Sequence, residues 1–62
     1  MKPDFKLKPK GLGLTMNFLQ NKSGMYTVWV DELALLTEAN TPVGGIENIC
    51  NMLHDIFKNE LG

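Results

Sequence analysis

Two side chains with reactive chemistry, Cys50 and His54, stand four residues apart near the end of the chain. Residues four apart are neighbours on a helix, so the two could form a thiolate–imidazole pair, or bind a metal with Glu47 one turn earlier. A structural zinc site needs four ligands, and the chain has one cysteine and one histidine. The simpler interpretation is a small buried cysteine beside a boundary histidine. We therefore predict no catalytic residue, no cofactor and no metal site.

A second chemical motif is the pair of glycines Gly11 and Gly13, which begins like a dinucleotide-binding loop. Met16 stands where the third glycine of that loop belongs. No strand is predicted before these glycines and no helix after them, which the motif requires. The spacing is therefore interpreted as a coincidence rather than as a phosphate site.

The helix that would carry Cys50 and His54 is the clearest element in the sequence. Apolar residues recur at helical spacing and predict an amphipathic helix over about 45–61. Thr41 and Pro42 either form its N-cap and first turn or belong to the preceding loop. The expected apolar stripe is Ile46, Ile49, Cys50, Leu53, Ile56, Phe57 and Leu61, and the polar face includes Glu47, Asn51, His54 and Asp55.

Upstream of this helix, one segment alternates apolar and polar residues, and the next is rich in β-branched and aromatic residues. They predict a β-hairpin over about 12–20 and 25–30, with a turn at 21–24. Asp31 could cap a short helix over about 31–40, whose residues are mostly good helix formers. The expected fold is α+β: one small domain over 12–62, made of a hairpin, a short helix and a longer helix.

The first eleven residues read as a basic flexible arm, because Pro3 and Pro9 prevent a regular helix there. Phe5 and Leu7 are apolar and could fasten this segment to the domain. Its lysines offer contacts to nucleic acid or to an acidic partner; those considered are Lys6, Lys8 and Lys10.

Size and composition limit the number of domains and the cellular compartments that suit this chain. Sixty-two residues make one domain with a small core, and a single cysteine forms no internal disulfide. No apolar run reaches the length of a membrane span, and no signal-peptide core follows the N-terminus. These features favour a cytoplasmic protein that does not bind membranes.

Function is predicted from surplus apolar surface and missing catalytic equipment. A helix on one face of a hairpin leaves the other face uncovered, with either Tyr26, Val28 and Val30 or Met25, Thr27 and Trp29 on it. We therefore expect a small non-enzymatic interaction protein, an inhibitor, adaptor or accessory subunit of a size common in phages and mobile elements. It would bind a larger protein or a second copy of itself. The expected contacts are Tyr26 and Trp29 as anchors, with Glu47, Asn51, His54 and Asp55.

The alternative is a dimeric DNA-binding regulator, since a strand followed by two helices is the order of a ribbon-helix-helix subunit and two helices suit a helix-turn-helix. The lysine-rich segment would then contact phosphates. Two features make DNA binding less favoured than protein binding. The chain has no arginine, and its long helix carries three acidic residues against one lysine.

Overall fold

The structure is a computed structural model that describes residues 2–61, except for the side chain of Leu61. Four antiparallel strands form a sheet in the order β1-β2-β3-β4, and one helix follows them. The bounds are β1 Phe5–Leu7, β2 Met16–Gln20, β3 Tyr26–Val30, β4 Leu36–Ala39 and α1 Pro42–Leu61. The predicted α+β class is confirmed, whereas the predicted arrangement of two helices is wrong because the described chain has only one.

The central hairpin of β2 and β3 lies where one was predicted, but its first strand begins at Met16, and residues 12–15 of the predicted strand are outside it. In this hairpin, the two strands pair so that Phe18 faces Val28. Its turn is closed by the Gly24 N–H, which donates to the Asn21 carbonyl at 3.1 Å. The Asn21 side chain accepts hydrogen bonds from the backbone N–H groups of Ser23 and Met25. Gly24 has a φ of +90°, a conformation that glycine adopts without strain, which explains why this short loop ends in glycine.

Strand β1 lies inside the segment 1–11 that the sequence assigns to a basic flexible arm. Phe5 and Leu7 pair with Phe18 and Met16 of β2, so β1 is an edge strand of the sheet. The Phe5 ring stacks on the Phe18 ring with 4.6 Å between centroids and 7° between planes. Part of the segment is therefore held to the sheet by aromatic packing and strand pairing.

Strand β4 occupies the region where the sequence predicts a short helix over 31–40. Residues 31–34 form bends, and Leu36–Ala39 pairs with β3 from Trp29–Leu36 to Tyr26–Ala39. Two helical turns are only marginally stable alone, whereas β3 offers a row of backbone groups that need hydrogen-bond partners. The tertiary requirement of the sheet thus overrides the local helix propensity of this segment.

Helix α1 packs on β3 and β4 and closes the core on one face of the sheet. Thr41 is its N-cap, since the Thr41 hydroxyl accepts a hydrogen bond from the Gly44 N–H at 3.0 Å. Gly45 lies against Val28 so closely that a Cβ at this position would overlap the valine side chain. The buried apolar core consists of Met16, Phe18, Val28, Val30 and Ile49.

The predicted apolar stripe of α1 is only partly covered by the sheet. Ile49 is fully buried, and Ile46, Met52 and Leu53 pack against the core. Cys50 is exposed, so its predicted burial is wrong: one residue beyond Ile49, it is turned about 100° away from the sheet. The side chain of Leu61, expected on the same stripe, lies outside the described part of the structure.

Candidate functional site

The sheet face opposite α1 is the candidate functional site. Strand register and the alternation of side chains place seven residues on it, which we call the open face: Lys6, Asn17, Leu19, Thr27, Trp29, Leu36 and Glu38. The helix and the buried core lie on the other side of the sheet. Helix α1 does not cover this face, on which Leu36 and Glu38 are exposed; Leu19, Thr27 and Trp29 are half-buried there, and Asn17 is buried.

Trp29 stands at the centre of the open face. Asn17 of β2 flanks its backbone on one side and Leu36 of β4 on the other. The Trp29 side chain is half-buried, and Leu36 is 52% exposed. The two residues are register partners on neighbouring strands, so an aromatic and an aliphatic side chain lie side by side where β3 pairs with the edge strand β4.

A polar network fixes one side of this surface and is centred on Asn17, which is only 1% exposed. The Asn17 amide nitrogen donates to Asp31 Oδ1 at 2.8 Å and to the Trp29 carbonyl oxygen at 3.3 Å. Asp31 Oδ2 lies 3.6 Å from Lys6 Nζ. The network thus joins β1, β2 and the end of β3, and it holds the backbone of Trp29 in place.

A second carboxylate, that of Glu32, is held at the same end of the sheet by Thr15. The Thr15 backbone N–H donates to Glu32 Oε1 at 2.7 Å, and the Thr15 hydroxyl donates to Oε2 at 2.9 Å. The backbone hydrogen bond is the main reason that the pKa of Glu32 is lowered from its ordinary value of 4.5. The Thr15 hydroxyl and the charge of Lys8 lower this pKa further, while desolvation opposes them.

Asn17 and Thr15 were missed as site residues in the sequence analysis. Asn17 stands between Met16 and Phe18 in a strand pattern, where a polar residue is normally assigned to solvent. The available signal was Asp31, whose position after β3 places it across the hairpin from Thr15. Sequence periodicity identifies a face of the sheet, but it does not show which polar residues on that face become buried.

The residues predicted to bind a partner do not form one surface. Trp29 lies on the open face, whereas Tyr26 lies on the other face of the sheet and packs against the core. The predicted helix contacts are all exposed on the side of α1 that faces away from the sheet, roughly opposite Ile49. They are Glu47, Asn51, His54 and Asp55. Sheet and core separate Trp29 from the predicted helix contacts.

The predicted phosphate contacts are also divided. Lys6 forms its ion pair with Asp31, and Lys8 lies close enough to Glu32 to lower its pKa. Lys10 is exposed in the turn between β1 and β2. Two of the three lysines therefore face a carboxylate of the same chain, which reduces the positive potential available to a nucleic acid.

The thiol and imidazole of the sequence motif are exposed on α1, at Cys50 and His54. Within residues 2–61, no group of three or more His, Cys, Asp and Glu side chains is arranged to hold a metal ion. In the same part of the chain, no helix combines the length and the apolar character that crossing a membrane requires.

Comparison with protein-family models, curated proteins and solved structures finds no match to this chain.

Proposed function

We propose that this chain is a non-enzymatic protein–protein interaction module, an inhibitor, adaptor or accessory subunit that binds a larger protein through the open face. The observation that supports this proposal is the position of Trp29, half-buried on a sheet face that α1 does not cover, beside the exposed Leu36. A cytoplasmic location is part of the proposal, because the single cysteine provides no stabilising disulfide.

Trp29 is suited to the role of anchor by its size and by the rigidity of its surroundings. Tryptophan is the residue type most enriched among side chains that dominate binding energy at protein interfaces. Asn17 holds the Trp29 carbonyl group, and β2 and β4 pair on both sides of the strand. A partner would therefore meet a preformed surface and lose little conformational entropy at it.

The charges around the open face favour a protein partner over a nucleic acid. Asp31, Glu32 and Glu38 are exposed acidic residues on or beside this face, and the nearby lysines Lys6 and Lys8 lie close to carboxylates. A phosphate backbone requires an excess of positive charge. A mixed rim around an apolar centre is typical of protein interfaces.

DNA binding remains the second proposal, but both its ribbon-helix-helix and its helix-turn-helix form need two helices, and the described residues have one, because residues 36–39 form β4. Its test is fluorescence anisotropy with labelled single- and double-stranded DNA at low salt, where phosphate contacts are strongest. Binding that disappears in the Lys8→Glu, Lys10→Glu variant would support DNA binding and count against the protein-binding proposal.

A photo-crosslinking experiment tests the protein-binding proposal in cells. A benzoylphenylalanine replaces Leu36 on the open face, or Val43, which is 64% exposed on α1, as the matched control. We expect one discrete adduct from position 36, and none of the same mass from position 43. Excess unlabelled chain should prevent the adduct, whereas excess Leu36→Asp chain should not.

The partner found in this way can be studied with the intrinsic fluorescence of Trp29, the only tryptophan in the chain. Burial of its ring on binding should shift the emission to shorter wavelengths. We expect Leu36→Asp to weaken the affinity at least about tenfold, and Val43→Asp to leave it unchanged. Equal affinities for the two variants, or an unchanged emission spectrum, would show that the open face is not the binding surface.

A further inference from the structure

A second unpartnered surface lies on the helix side of the molecule, where α1 extends beyond the sheet. A helix of 20 residues is about 30 Å long, whereas a strand of five residues spans about 17 Å. Gly45 lies over Val28 and Ile49 is fully buried, so the first half of α1 covers the core. Ile56 stands two turns beyond Ile49 on the same helix face, yet it is 41% exposed. The second half of α1 therefore has an apolar face with no sheet beneath it.

The orientation of α1 shows which way this apolar face is turned. Asn48 donates to Thr37 Oγ1 at 3.1 Å and to the Glu38 carbonyl oxygen at 3.3 Å, so its flank of the helix lies along β4. Phe57 is on the opposite flank, about 180° from Asn48 around the helix, and is 60% exposed. Phe57 is thus turned towards the β1 side of the sheet.

Strand β1 carries the other exposed apolar residues on this side of the molecule. Phe5 and Leu7 share the sheet face of Phe18 and Met16, and both remain exposed although their β2 neighbours are buried. The packing of α1 on β3 and β4 leaves them uncovered. We call the two groups together the apolar strip; it consists of Phe5 and Leu7 on β1 and of the half-buried Leu53 with the exposed Ile56 and Phe57 on α1.

The two parts of the apolar strip carry opposite charges. Residues 1–10 contain four lysines and one aspartate, whereas α1 contains three acidic residues and one lysine. Lys6 and Lys8 lie close to carboxylates of the same chain, so the exposed Lys2 and Lys10, on either side of β1, carry its positive charge. Glu60 follows Ile56 by one helical turn on the same face. A surface that complements the β1 part should be apolar and acidic, and one that complements the α1 part should be apolar and basic. One chain supplies both.

We propose that a second copy of this chain covers the apolar strip, in a two-fold symmetric dimer where β1 of each copy packs against the second half of α1 of the other. Two-fold symmetry forms both contacts at once, because the same patch is used on each subunit. It brings the basic β1 part against the acidic α1 part twice. It also leaves the open face of both copies free, so dimerisation and partner binding use separate surfaces.

A dimer of this kind needs a sizeable share of the surface of each copy. A stable interface buries about 800 Å² on each partner, which is roughly a fifth of the 4458 Å² that one copy exposes. The apolar strip contributes two phenylalanines and three aliphatic side chains, and the flanking charged residues supply a polar rim. An apolar centre of this kind, repeated by symmetry, is characteristic of homodimers.

The first test is the molecular mass in solution of the full chain and two variants, measured by sedimentation equilibrium from micromolar to millimolar concentration. Phe57→Glu places a charge in the apolar strip, and Val43→Glu places the same charge on an exposed position outside it. Each dimer carries the change twice, so we expect Phe57→Glu to raise the dissociation constant at least about a hundredfold. Val43→Glu should dimerise like the natural chain. Circular dichroism verifies that both variants are folded.

The second test uses charge complementarity without changing an apolar side chain. One variant combines Lys2→Glu with Lys10→Glu, and the other is Glu60→Lys. At an ionic strength of about 0.01 M, where the screening length is about 30 Å, each variant alone should dimerise more weakly than the natural chain. An equimolar mixture should form heterodimers, because both symmetric contacts then join opposite charges.

Three results would overturn the dimer proposal: a monomer at every concentration, equal dimerisation of the Phe57→Glu and Val43→Glu variants, or a mixture of charge variants that associates no better than each variant alone. None of these results depends on the open face. Leu36→Asp should leave the dimer intact, so failure of the dimer and failure of the partner-binding proposal can be told apart.

Discussion

Asn17 illustrates how a single polar side chain stabilises this sheet. It is the one polar residue that is buried within the described residues, and its amide nitrogen is shared between Asp31 Oδ1 and the Trp29 carbonyl. Replacement by aspartate keeps the shape and removes both donors. We predict that Asn17→Asp lowers the free energy of unfolding by about 1–3 kcal/mol at pH 7, measured by urea denaturation.

The pH dependence of this variant separates charge repulsion from lost packing. The introduced carboxylate faces Asp31, so the loss of stability should be smaller near pH 4, where one of the two carboxyl groups can bind a proton. Asp31→Asn in the same background returns a donor opposite the carboxylate and should restore part of the stability at pH 7. A loss of stability that is independent of pH and is not rescued by Asp31→Asn would contradict the proposed network.

Glu32 provides a prediction from its hydrogen bonds with Thr15. These bonds lower its pKa in the folded state, whereas the unfolded chain has the ordinary value of 4.5. The resulting stabilisation is therefore present above pH 4.5 and is lost as the pH falls through the lower, folded-state pKa. Unfolding free energies measured between pH 6 and pH 3 should show the natural chain losing its advantage over Glu32→Gln. Thr15→Val, which lacks one of the two donors, should show an intermediate difference.

Residue-scale reasoning from the sequence was reliable where a local interaction decides the structure. The Asn21 and Gly24 turn was predicted, and the Thr41 cap was one of two alternatives; both depend on neighbours within four residues. The burial of Asn17 and the exposure of Cys50 depend on the exact rotation and position of whole elements. Such rotations are decided by tertiary packing, which periodicity alone does not specify.

At the scale of elements, the contact between α1 and the sheet depends on the absence of a side chain at Gly45. A Cβ there would overlap Val28 Cγ2 and lie 3.2 Å from Val28 Cβ, although alanine is favoured over glycine in a helix by about 1 kcal/mol. We predict that Gly45→Ala is nevertheless destabilising by about 1–3 kcal/mol in urea denaturation, because the helix must move away from the sheet.

A double-mutant cycle identifies the cause of this effect. Val28→Ala removes Cγ2, the atom that the new methyl group would overlap, and leaves only the Cβ contact at 3.2 Å, so Gly45→Ala should cost less in that background. If Gly45→Ala has the same effect with valine and with alanine at position 28, the contact does not decide how closely α1 approaches the sheet.

The element predictions succeeded for β3, for α1 and for the second half of the strand predicted over 12–20, and they missed β1 and β4; the difference has a physical origin. The hairpin and the long helix have strong periodicity and local stop signals. Residues 36–39 have weak strand propensity and form β4 only because β3 offers an unpaired edge. The structure also decides which hairpin face is covered, a question that the sequence analysis left open: Val28 and Val30 meet the helix, and Trp29 faces away from it.

At the scale of the whole molecule, the one helix of the described residues covers part of one sheet face, and two surfaces remain without a partner. A domain of 62 residues buries only about 60% of the surface of its unfolded chain, so its stability as a monomer is small. The sequence indicated surplus apolar area. It did not divide that area between the open face and the apolar strip, because the division depends on where α1 crosses the sheet.

Dimerisation through the apolar strip should appear in the thermal stability of the whole molecule. When two folded chains associate and unfolded chains do not, mass action makes the melting temperature rise with protein concentration. We predict that the Tm of the natural chain, followed by circular dichroism, increases by several degrees between about 5 and 500 μM, because a hundredfold change in concentration alters the dimer population strongly and a small domain gains about 4–8 °C per kcal/mol. The Phe57→Glu variant should have a Tm that does not depend on concentration, and Val43→Glu should behave like the natural chain. A Tm of the natural chain that stays constant over this range would mean that the apolar strip is exposed in the working molecule, and that the fold is stable without a second copy.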